Sequence, residues 1–69
     1  MNPKTLTLIS KAIGDLRDSN TKTRLISNYS YFLGVMDVIN SEELWPPEDQ
    51  LVVRQNALLT FNNMKDTLP

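Results

Sequence analysis

Two serines lie close to lysines in this chain, Ser10 next to Lys11 and Ser27 one helical turn and a residue beyond Lys22. A lysine amine beside a serine hydroxyl is the least that a Ser–Lys nucleophile requires. Such a nucleophile also needs donors for an oxyanion and a shaped pocket, and nothing in the surrounding sequence supplies them. Histidine and cysteine are both absent, so acid–base and thiol chemistry lose their commonest carriers. Disulfides and Cys/His metal sites are excluded for the same reason. The eight acids show no calcium-loop spacing. Gly14 and Gly34 stand far apart and match neither a P-loop nor a dinucleotide fingerprint. The expectation is a chain that is not an enzyme and carries no cofactor and no metal.

Contact chemistry is better represented. Trp45 stands between Leu44 and the pair Pro46-Pro47. Its indole either folds down on Leu44 and Leu51 as a plug ahead of a helix or stands out as a rigid anchor for a partner. Leu44 and Trp45 are therefore the candidate partner-binding residues. Asp37 interrupts an apolar run, so it must face solvent, pair with Lys11, Arg17 or Arg54, or mark a polar spot in an interface. Lys22, Arg24 and Asn28, with Thr21 and Thr23, could present a DNA-reading face at the start of a helix. Seven bases against eight acids make a poor nucleic-acid footprint, so nucleic acid is not the expected partner.

Three helices must position these residues. Asn2-Pro3 is a start signal, with Asn as cap and Pro at the first helical position. Leu6, Ile9, Ile13 and Leu16 then recur at helical steps, predicting a first helix over 3–17 with Leu8 off the stripe. Asp18-Ser19-Asn20-Thr21 supplies turn and capping residues, although none is Gly or Pro and the first helix could run through. The second helix is expected over 21–40 and the third over 47–65, opened by Pro47 with Glu48 and Asp49 in its first turn. Leu51, Val52, Val53, Ala57, Leu58, Leu59, Phe61 and Met64 give the third helix a broad apolar face. Thr67-Leu68-Pro69 reads as a frayed tail. The fold class predicted is all-α, a small three-helix domain dominated by an antiparallel hairpin of the second and third helices.

The second helix raises a problem of coverage. Leu25, Tyr29, Phe32, Met36 and Ile39 form one stripe, and Tyr31, Val35 and Val38 form another. A helix apolar on several sides needs cover on several sides, while a 69-residue domain buries only about 60% of its unfolded surface. A second copy is the expected cover, through Tyr31, Val35 and Val38 or through Phe32, Met36 and Ile39. Ser30 and Gly34, four apart, would allow a close helix approach. Charge is divided as well: residues 1–24 hold five bases and two acids, residues 25–69 two bases and six acids.

No secretory leader is legible in Met1-Asn2-Pro3-Lys4 and the residues after it, and no apolar run reaches the 18 or so residues of a membrane span. The expected setting is cytoplasmic, and the expected function is protein–protein binding as an adaptor, inhibitor or regulator, in the form of a homodimer. The alternatives are a DNA-binding regulator that uses the start of the second helix and a structural protein that assembles through its whole apolar surface.

Overall fold

A computed structural model describes residues 3–69. The fold is all-α: α1 Pro3–Arg17, α2 Lys22–Ser41 and α3 Pro47–Lys65. α2 packs against both neighbours, and α3 meets α1 more sparingly. The expected cap at Asn2 lies outside the described residues. The buried stripe of α1 is Thr5, Ile9, Ala12 and Leu16. It is turned slightly from the predicted one, because Leu6 is half exposed and Ile13 only half buried.

α1 and α2 are separate helices, and a polar knot makes the corner. The amide of Asp18 donates to the Gly14 carbonyl at 3.0 Å, and that of Ser19 to the Leu16 carbonyl at 3.3 Å. The buried Ser19 hydroxyl donates to the Asp15 carbonyl at 3.1 Å. From α2, the Asn28 side-chain amide donates to the same Asp15 carbonyl at 3.0 Å and to Ser19 Oγ at 2.9 Å. Thr21, in extended conformation, caps α2 by accepting from the Arg24 amide at 3.1 Å. Orphan donors and acceptors at both helix ends are thereby satisfied locally, so the chain can break without Gly or Pro.

α2 ends in a Schellman arrangement. The Leu44 amide reaches the Ile39 carbonyl at 3.0 Å, and the Glu43 amide reaches the Asn40 carbonyl at 3.2 Å. The left-handed residue this requires is Glu43, at φ 54°. Pro46 and Pro47 then open α3. Proline has no side-chain cap to offer, and Gln50 turns back into the protein, where its Nε2 donates to the Trp45 carbonyl at 2.8 Å.

Leu16, Leu25, Phe32, Met36 and Ile39 are the large side chains withdrawn fully from solvent. Tyr29 ties α2 to α3, its ring stacked on Phe61 at 4.6 Å and beside Phe32 at 6.3 Å. Asp37 accepts from the Arg54 guanidinium at 3.2 Å while remaining largely in water. The expectation of a frayed tail is overturned. The Thr67 and Leu68 amides both donate to the Met64 carbonyl, Leu68 packs against the core, and the Pro69 carbonyl accepts from the Lys22 amide at 2.8 Å. A tail that satisfies a free amide at the start of α2 and buries a leucine is held by contacts remote in sequence, which local composition does not reveal.

Candidate interaction surface

The Ser–Lys pairs do not become sites. Ser10, Lys11, Lys22 and Ser27 all lie in the open. Lys11 is engaged with Asp15 at 2.9 Å. That hydrogen bond and the carboxylate charge raise the Lys11 amine above its ordinary value, which keeps it protonated and unfit as a base. No group of three metal-ligating side chains occurs among the described residues. Among the described residues, no helix is long and apolar enough to cross a membrane.

The Trp45 corner is a plug. Its indole is only 8% exposed and belongs to the core. The indole N–H is buried without a hydrogen-bond partner among the described residues. Leu44 beside it stays partly exposed, and an open depression of about 640 Å³ runs from Asn40 past Trp45 to Pro47 and Gln50. Of the two expected partner-binding residues, Leu44 alone presents apolar surface. At the DNA-reading candidates, Lys22 and Arg24 are exposed, but the Asn28 amide is consumed by Asp15 and Ser19.

The self-association candidates divide. Phe32, Met36 and Ile39 lie inside the protomer's own core, and Val35 is buried as well, so none of the four offers a face to a second copy. Tyr31 and Val38 remain exposed. Gly34 is exposed, and a Cβ built there meets nothing, so within the protomer it mediates no close helix contact.

The larger apolar surface is on α3. Its inward stripe is Gln50, Val53, Ala57, Phe61 and Met64. Its outward side carries Leu51 at 56%, Val52 at 56%, Leu58 at 46% and Leu59 at 60% exposure. Gln55 and Asn62 lie between these leucines on the helix surface, and both are exposed. Arg54 is the only charge from residue 51 to residue 63, and it is turned to Asp37 on α2. The outward side of α3 is therefore uncharged over more than three turns, with its apolar residues between Leu51 and Leu59. Sequence reading grouped all these residues into one broad face. The signal that separates them is Gln50: once it is fixed inward by its bond to Trp45, the residues three, seven and eleven positions on must follow it.

Comparison of the chain with protein-family models, with curated proteins and with solved structures finds no match.

Proposed function

We propose that this chain is a non-enzymatic binding module of the cytoplasm that acts through protein–protein contact, as a homodimer whose contact face is the outward side of α3. The observation that carries the reading is the set Leu51, Val52, Leu58 and Leu59, each about half exposed on one uncharged helix face. Single exposed apolar residues are commonplace, whereas a contiguous group rimmed by polar residues marks an interaction site. In the same reading α2 and α3 form an antiparallel hairpin. The pairs Asp37–Arg54 and Tyr29–Phe61, which descend along α2 while ascending along α3, support that arrangement. The role of adaptor, inhibitor or regulator follows from contact without chemistry.

The test is mass in solution by light scattering over about a hundredfold concentration range, for the native chain, Leu58→Glu and Val38→Glu. A dimer lost in Leu58→Glu and kept in Val38→Glu supports the reading. A charge brought into an apolar contact costs several kcal/mol, and both positions are exposed in the protomer, so neither change should unfold it. A native chain that is monomeric throughout refutes self-association. A dimer broken by Val38→Glu alone returns the contact to α2.

A further inference from the structure

We infer that two copies pair through α3 in antiparallel orientation, with the two-fold axis passing beside Gln55. The inference rests on the proposed self-association and specifies its geometry. Three observations lead to it.

The first is the spacing of the apolar residues. Leu51 and Leu58 lie on one flank of the outward face, Val52 and Leu59 on the other, and Gln55 between them. Leu51 and Leu58 are centred just before Gln55, and Val52 and Leu59 just after it. A two-fold axis at Gln55 therefore sets Leu51 of one copy against Leu58 of the other, and Val52 against Leu59. Every apolar residue meets an apolar residue, as an isologous contact requires.

The second is charge. Glu42, Glu43, Glu48 and Asp49 lie around the entry to α3. Lys65 closes α3 at the other end. Lys22 is held there by its bond to Pro69, and Arg24 comes soon after it on α2. Each protomer is elongated, 37 × 20 × 15 Å, with an acidic entry to α3 and an exit where Lys65 and Arg24 are interleaved with Asp66, Asp15 and Asp18. Antiparallel pairing keeps the acidic α3 entries of the two copies apart and opposes the two helix dipoles. Parallel pairing would set like against like.

The third is area. Four half-exposed side chains offer on the order of 400 Å² per copy, and the polar residues around them bring the pair close to the roughly 1,000 Å² at which specific contacts begin. That size lies at the lower end of specific contacts and well below that of most obligate dimers.

The chain has no cysteine, so engineered thiols report the geometry without interference. Gln55→Cys, Leu51→Cys and Leu58→Cys are exposed positions whose folding is checked by circular dichroism. Under mild oxidation Gln55→Cys should cross-link to itself. Leu51→Cys and Leu58→Cys should cross-link when mixed and stay unlinked alone. Self-linking of Leu51→Cys would show a parallel pair and overturn the inference. Dimeric mass with no cross-link at any of the three positions would also overturn it, while leaving self-association through another face intact. Monomeric mass would remove both.

Discussion

Trp45→Ala should cost this protein a large share of its stability. The indole is more than nine-tenths buried and packs with the core at the entrance to α3. Removing a buried tryptophan side chain costs about 3–5 kcal/mol, part for transfer and part for the cavity left behind. A domain of 69 residues has about 3–10 kcal/mol in total at the usual 0.05–0.15 kcal/mol per residue. At about 4–8 °C per kcal/mol, the melting temperature should fall by at least about 12 °C. Trp45→Phe separates two contributions. It keeps most of the apolar burial and removes the N–H that lacks a partner, whose burial alone costs about 1–3 kcal/mol. The loss of ring volume and the relief of that N–H oppose each other, so Trp45→Phe should lie within about 1 kcal/mol of the native chain. The assay is thermal unfolding by circular dichroism, with urea titration for the free energy, at a concentration low enough to keep self-association out of the transition. A Trp45→Ala variant melting within about 2 °C of the native chain would refute the plug and restore the exposed anchor. A Trp45→Phe variant as damaged as the alanine would show that the indole N–H contributes a bond.

Two further substitutions test the helix ends. Glu43 occupies the left-handed position of the α2 terminus, so Glu43→Gly should raise stability by about 0.5–1 kcal/mol in urea titration, and a loss would mean that the side chain has a stabilising partner. Asn28→Ala removes both donors that tie α2 to the Asp15 carbonyl and Ser19, so it should cost about 1–3 kcal/mol, with the amides of 18–21 exchanging faster with solvent; unchanged exchange there would mean that the corner holds without Asn28.

Much of the fold was legible from local chemistry. Pro3, Thr21 and Pro47 mark helix starts whose capping or fixed φ is a property of a few adjacent atoms. The α1–α2 break was less certain, since Ser19 ends a helix only because Asn28, nine residues on, completes the knot. The tail was misjudged for a related reason: Leu68 is ordered by a core and Pro69 by an amide, both supplied from elsewhere in the chain. The interaction surface was least legible. Periodicity finds the apolar stripes of a helix but not which of them is turned inward. On α3 that choice was made by Gln50, a polar residue buried for the sake of its bond to the Trp45 carbonyl, against the usual rule for glutamine.

The placement of the exposed surface follows from the number of neighbours each helix has. α2 lies against both other helices, so two of its apolar sides find cover within the protomer, and Leu25, Phe32, Met36 and Ile39 are lost to solvent entirely. The excess of apolar residues that made α2 look like an interface is what a central helix needs. α3 has one close neighbour and a sparse contact with α1. Among its residues only Gln50 and Ala57 are fully buried. A helix packed mainly on one side has no structural use for Leu51, Val52, Leu58 and Leu59 on the other, and each would be more soluble as lysine or glutamate. Apolar residues on a central helix report the protomer's own core; on a peripheral helix, with the nearby charges held to the helix ends or turned to α2 as Arg54 is, they are the surface on which the proposed self-association rests.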